Sequence, residues 1–216
     1  HELKTPIALI QGYAEGLQEN VNDDPESRDF YCEVIVDEAA KMNQMVKRLL
    51  SLNQLEFGNG QVHFEHFDVR EVVRSVLASS DILFRQKEIT VSCSEPGPVF
   101  VWADEYMTEE VVMNYVSNAV NHIGGDRMIE VKIQSGGDKA RVSVFNTGNK
   151  IPEEEIDKIW NKFYKVVKER TREYGGNGIG LSIVKAIMDA HNQQYGVKNY
   201  DNGVEFWFEL DVKAEN

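Results

Sequence analysis

Leu3, Ile7, Ile10, Ala14 and Leu17 recur at spacings of four, three, four and three. That period places them on one apolar stripe and predicts a helix over residues 1–19. The polar run Asn22-Asp23-Asp24 followed by Pro25 then breaks the pattern and prepares the first turn of a second helix. Over residues 26–56 the same alternation returns in Ile35, Ala39, Met42, Val46 and Leu49. Two such helices form an antiparallel hairpin whose seams need a partner. The simplest partner is a second copy, giving a homodimeric four-helix bundle, and the other outcome is packing on the chain's own globular part.

Phe57-Gly58-Asn59-Gly60 closes the second helix with two glycines, after which the period changes. Alternating segments predict strands over 88–93, 99–103, 128–134, 140–145, 194–200 and 204–212, with helices over 69–84, 105–121 and 181–191 between them. The expected fold is therefore α+β: a helical hairpin over 1–58, then an α/β sandwich over 62–216.

The chain has 216 residues, 42% hydrophobic and 27% charged, which suits two globular units. No stretch approaches the roughly 20 apolar residues of a membrane span, and HELKTP is not a basic-then-apolar leader. Cys32 and Cys93 are too few for a disulfide framework or zinc site, and both are expected as buried, reduced thiols. A net charge of -13 argues against a nucleic-acid partner. Any anion bound here needs a local cationic field instead.

Candidate chemistry gathers in the second part. Asn114 and Asn118 share a helix face beside Val111, Tyr115 and Ala119. Taken alone they could be ordinary surface amides. Downstream, Asn146-Thr147-Gly148 leaves a strand into a turn, where Asn146 can accept from an amine on a base. Trp160 and Phe163 add a compact aromatic cluster, and Gly176, Gly178 and Gly180 precede Leu181 at the start of a helix. Glycines let backbone N–H groups approach phosphate oxygens, and the helix N-terminus adds partial positive charge. His63 and His66 are expected on opposite strand faces, which argues against a metal pair, and His191 at a helix end is expected to be structural.

In this order, these features resemble the N, G1, F and G2 boxes of the Bergerat-type ATP-binding domain shared by sensor histidine kinases, Hsp90, type II topoisomerases and mismatch-repair ATPases. The opening His1-Glu2-Leu3-Lys4-Thr5-Pro6 is similar to the kinases' H box, so the resemblance covers nearly the whole chain. It implies autophosphorylation of His1 from Mg-ATP, with Glu2 accepting the other ring N–H, and transfer to an Asp of a response regulator. Thr5, one turn beyond His1, is implied to serve dephosphorylation of that regulator by positioning water. Asn118 is implied to hold Mg²⁺ with Asn114 in support, and Asn146 to read the adenine amine beside Gly148. Gly176, Gly178, Gly180 and Leu181 are implied to line the triphosphate, near Phe163. A lid over about 165–175 is implied to bring Lys165, Lys168, Arg170 and Arg172 to the phosphates.

Three departures from the family pattern matter. Asn146 stands where Asp is usual, which predicts weaker nucleotide binding. Lys150 replaces the second glycine of its turn. Asn121 and His122 occupy the places of a basic and an aromatic residue, so Asn121 is an uncharged candidate at a phosphate contact. Asn114 replaces the water-activating Glu of the ATPase branches, so transfer is expected over hydrolysis. An ATPase of the same fold, and a weakened scaffold or phosphatase for a response regulator, are the alternative readings. Residues 145–181 look most like the vancomycin-resistance-type branch of Gram-positive sensor kinases, and the parent protein is expected to be membrane-anchored.

Overall fold

A computed structural model describes residues 3–19, 24–56, 62–94, 97–166 and 178–213. The chain divides into two compact units, His1–Asn53 and Gln54–Asn216.

The first unit holds α1 (Lys4–Gln18) and most of α2 (Pro25–Glu56). Asp24 prepares the entry of α2, its Oδ1 accepting the Ser27 amide at 2.8 Å. Near the loop the hairpin closes on aromatic rings, Tyr13 meeting Tyr31 edge-on at 4.9 Å and Phe30 at 6.1 Å. Gly16 allows this approach, since a Cβ there would lie 2.8 Å from the Tyr31 ring. None of the ten stripe residues named above is buried in the single chain.

The second unit is a seven-stranded sheet ordered β1-β3-β7-β5-β4-β2, with β6 also pairing β7. The strands are β1 (Glu65–Asp68), β2 (Thr90–Ser94), β3 (Phe100–Ala103), β4 (Met128–Gly136), β5 (Lys139–Thr147), β6 (Tyr195–Tyr200) and β7 (Gly203–Asp211). Helices α3 (Val69–Gln86), α4 (Glu105–Asn121) and α5 (Gly180–Ala190) pack together, α4 lying against β5. Buried and half-exposed residues alternate along β4 and β7, the period-two signature of a sheet with one covered face. Under the helices lie Ile129, Val131, Val142, Val144, Phe206 and Phe208, each side chain worth about 1.5–3 kcal/mol on burial. Tyr115 adds a ring to this core and donates its hydroxyl to Trp207 O at 3.1 Å.

Aspartate caps start α3 and α4. Asp68 accepts from the Arg70 amide at 3.1 Å to begin α3, and Asp104 accepts from Met107 N at 3.0 Å to begin α4.

Several details differ from expectation. Cys32 and Cys93 are both exposed rather than buried. Cys32 sits on a helix with no third element of its unit to cover it. Cys93 lies on β2, an edge strand paired only with β4. The strand expected from residue 88 starts at Thr90, because Glu88 takes a left-handed turn at φ 53°. His66 belongs to β1 and His63 precedes it, and no metal-binding cluster occurs among the described residues.

Candidate functional site

α4 carries the two amides because its opposite side is apolar: Val111, Val112, Tyr115, Val116, Ala119 and Val120 are buried, which leaves Asn114 and Asn118 half-exposed on the rim. Asn114 donates Nδ2 to Glu110 O at 2.8 Å. Its Oδ1 abuts the start of α5, where a Cβ on Gly180 would lie only 2.9 Å away. Glycine at 180 thus makes room for the Asn114 side chain. Among the described residues the Asn118 side chain makes no hydrogen bond, so its amide remains available. Asn121 ends α4 half-exposed, one residue before the His122 C-cap.

At the end of β5, Asn146 is 2% exposed. Its Nδ2 donates to Thr147 O at 3.1 Å and to His122 O at 3.4 Å, which fixes the amide's orientation. Among the described residues no donor meets its Oδ1. The Thr147 hydroxyl donates to Gly124 O at 2.7 Å and accepts Met128 N at 3.0 Å, joining the turn to the start of β4. Gly148 passes so close to the end of α4 that a Cβ would stand 2.5 Å from His122 O, at φ 154°. A cleft of about 350 Å³ opens beside it, with His122, Asp126, Gly148, Asn149 and Asn202 in its wall. Lys150 pairs with Asp201 at 2.9 Å, so the side chain that replaces a glycine is tied to the β6–β7 turn. Asn199 secures the next residue by both backbone groups: its Oδ1 accepts Ile151 N at 3.0 Å and its Nδ2 donates to Ile151 O at 2.8 Å.

Trp160 and Phe163 do not form one cluster. Trp160 packs on Tyr195 at 4.8 Å and Phe206 at 6.0 Å, while Phe163 is exposed. Phe163 has a left-handed backbone, φ 61°, and its N–H donates to Gly178 O at 2.7 Å. Gly178, itself at φ 64°, allows the contact because a Cβ there would meet Phe163 backbone at 3.0 Å. Lys165 is half-exposed just beyond. α5 then starts at Gly180 without a side-chain cap, followed by half-exposed Leu181, so its first-turn N–H groups lack intrahelical acceptors.

Asn114, Gly178, Gly180 and Leu181 thus come together where α5 starts, and Asn146 and Gly148 meet the end of α4. Thr5 is exposed on α1. His1, Glu2, Lys168, Arg170, Arg172 and Gly176 lie outside the described residues.

Sequence reasoning missed Asp104, Asn199 and Gly203. Asp104 supplies the α4 cap and also accepts His63 N at 3.0 Å. A Cβ on Gly203 would sit 2.0 Å from Asn146 O, so β7 can reach β5 here only as glycine. An isolated glycine opening a strand was the available signal. Asn199 gave none, since its partner lies 48 positions away.

Comparison with known proteins covers both units. Residues 1–58 match the His Kinase A (phospho-acceptor) domain, and residues 103–214 match the family described as histidine kinase-, DNA gyrase B-, and HSP90-like ATPase. The sensor protein VanSB of Enterococcus faecalis is 30% identical over 212 residues, 97% of this chain and 47% of VanSB. The sensor protein kinase WalK of Staphylococcus aureus is 29% identical over 195 residues, 89% of this chain and 46% of WalK. The chain therefore spans about half the length of these relatives, and identities one point apart do not single out the vancomycin-resistance branch. Among solved structures, histidine kinase ThkA in complex with response regulator protein TrrA aligns with a TM-score of 0.78 at 30% identity, covering 99% of this chain and 59% of that one.

Proposed function

The chain belongs to the sensor histidine kinases of two-component systems, and from that premise we propose that it binds Mg-ATP in its second unit and phosphorylates His1. The observation that carries the reading is the pairing of Asn114 on α4 with Gly180 at the start of α5, one turn from an Asn118 amide with no partner among the described residues.

The residues fit the groups assigned to them. Asn146 presents an unpaired acceptor whose amine side is already bonded, which suits the amino group of adenine. Gly148 and Gly180 let the chain pass close to His122 O and Asn114 Oδ1, where a Cβ would clash, and so hold the two turns against α4. The open first turn of α5 offers N–H donors to phosphate oxygens. Asn118 is an oxygen ligand of the kind Mg²⁺ accepts. When bound, Mg²⁺ neutralises charge on the phosphates. Lys165, Arg170 and Arg172 add cations to a chain of net charge -13, and Gly176 completes the glycine run.

Phosphoryl transfer passes through a loose transition state, so the chain's task is to position donor and acceptor. His1 attacks through a neutral ring nitrogen, and Glu2 accepts the other ring N–H and stabilises the imidazolium that forms. Thr5, exposed one turn along, positions water for dephosphorylation of the regulator. Asn114 carries no carboxylate and spends its Nδ2 on Glu110 O, so water has no general base there and transfer prevails over hydrolysis.

A homodimer forms through the hairpin, none of whose ten stripe residues is fully buried in one chain. The phosphoryl group passes on to an Asp of a response-regulator receiver domain. No helix among the described residues is long and apolar enough to cross a membrane. The parent protein is membrane-anchored, with this chain on the cytoplasmic side and the two functional segments meeting between residues 58 and 62.

Calorimetric titration with ATP, with and without Mg²⁺, tests the site. Wild type gains affinity from the metal and Asn118→Ala loses that gain while keeping its circular dichroism. Equal metal dependence in the two chains would remove Asn118 from the site.

A further inference from the structure

α4 and α5, which frame the proposed nucleotide site, run in opposite directions, and α5 touches α4 at both of its own ends. Asn114 meets Gly180 at one end. At the other, the Asp104 backbone N–H donates to His191 Nε2 at 3.0 Å, and His191 Nδ1 lies 2.8 Å from Ile187 O. Asn114 lies ten positions after Asp104, and His191 eleven after Gly180. Both amount to about 15–17 Å of helix rise, so the two ties span the same length of each helix.

The chemistry of the second tie leaves one protonation state. A carbonyl only accepts, so Nδ1 carries the hydrogen, and a backbone N–H only donates, so Nε2 carries none. The ring is a single neutral tautomer, 3% exposed. A second proton would oppose the Asp104 N–H and break the tie. Burial pushes the His191 pKa below the ordinary histidine value, against the opposing pull of Ile187 O and the Asp104 carboxylate.

Of the charged groups around the ring, Asp104 faces it from α4, with its oxygens engaged by Met107 N and His63 N. Glu105 beside it is exposed. On α5, Lys185 and Asp189 pair with each other at 2.9 Å. Phe64 meets the ring edge-on at 5.5 Å from the segment before β1, where His63 contributes its backbone amide.

We propose that His191 is a positioning residue: in its neutral form it holds the start of α5 in register with Asn114, and protonating it loosens that register and weakens nucleotide binding. The nucleotide part of this proposal rests on the site reading given above. The positioning part does not.

Three chains test it: wild type, His191→Gln, which keeps an acceptor of similar reach but does not titrate, and His191→Leu, which keeps volume without an acceptor. Hydrogen–deuterium exchange over residues 180–184 in ligand-free chains reads the register directly. At about pH 8 the Leu chain exchanges about fivefold faster or more, and the Gln chain matches wild type. Mg-ATP affinity is then followed from about pH 8 to about pH 5.5. Wild type weakens about fivefold or more toward acid, beyond any change in the Gln chain, which shares the ligand's own titration. Unchanged exchange in His191→Leu, or equal acid limbs in His191→Gln and wild type, would overturn the proposal. If the Leu chain does not fold, the Gln comparison decides alone. If wild type binds no Mg-ATP, the nucleotide-site reading fails and exchange still decides whether His191 sets the register.

Discussion

Asn146→Asp exchanges an amide for a carboxylate of the same shape, so packing is kept and only the polar network changes. The Nδ2 that donates to Thr147 O at 3.1 Å and to His122 O at 3.4 Å becomes an oxygen facing two carbonyl oxygens at a site 2% exposed. Losing the better hydrogen bond costs about 1 kcal/mol, and leaving a buried acceptor unpaired costs about 1–3 kcal/mol more. The expected penalty at about pH 8 is therefore about 2–4 kcal/mol. A protonated carboxyl can donate as the amide did, so the folded state favours the neutral acid and holds its pKa above the unfolded value of about 3.9. The sign follows: the penalty is smallest below about pH 4 and grows as pH rises through the folded pKa. Trp102, Trp160 and Trp207 all lie in the second unit, so urea unfolding followed by tryptophan fluorescence reports the affected part. The midpoint should fall by about 1–2 M urea at about pH 8 and recover in acid relative to wild type. Equal midpoints at both pH values, or tighter Mg-ATP binding by the variant, would refute this reasoning. They would make Asn146 a weakened aspartate after all, as the sequence alone suggests.

Gly203→Ala places a Cβ 2.0 Å from Asn146 O and 2.8 Å from the Phe145 ring, forcing β5 and β7 apart. A loss of about 1–3 kcal/mol or more in the same urea assay, with weaker nucleotide binding, is expected, and wild-type behaviour in both would remove Gly203 from the support of the site. Acid should destabilise the second unit in two stages, read by thermal melts across pH. His191, whose pKa burial lowers, binds its proton more readily unfolded, so stability falls as pH drops below about 6.5. Asp68 is pushed up by burial but held below its usual value overall by Arg70 and the Val99 amide, so its contribution is lost only below about pH 4. A melting temperature flat between about pH 7 and about pH 5 in wild type would contradict the first stage.

The sequence was most legible where one residue type has one physical job. Helix stripes, the alternation of β4, β5 and β7, and the glycines around Gly178 each follow from local rules, and α4 begins and ends where the pattern put it. β1 was legible only as a strand segment around His63 and His66, without bounds, because only Phe67 of its four residues is buried, too little for a period to register. The cysteines were misjudged because burial depends on which strand forms the sheet edge, and that is a property of the whole topology. In the candidate site, the identity of Asn146 was readable but its orientation was not. The carbonyls that set it belong to Thr147 and to His122, the latter 24 positions away. His191 was expected to be structural, yet its bond to Asp104 spans 87 positions and could not be read from periodicity.

The central claim is that the second unit's nucleotide site serves His1. Incubation of the chain with Mg-ATP, followed by peptide mapping under neutral conditions that preserve phosphohistidine, tests it most directly. An acid-labile phosphoryl group is expected on the peptide that contains His1, absent from Asn118→Ala and from His1→Gln. Stoichiometric Mg-ATP binding with no phosphoryl group on that peptide, or a label that persists in His1→Gln, would contradict it.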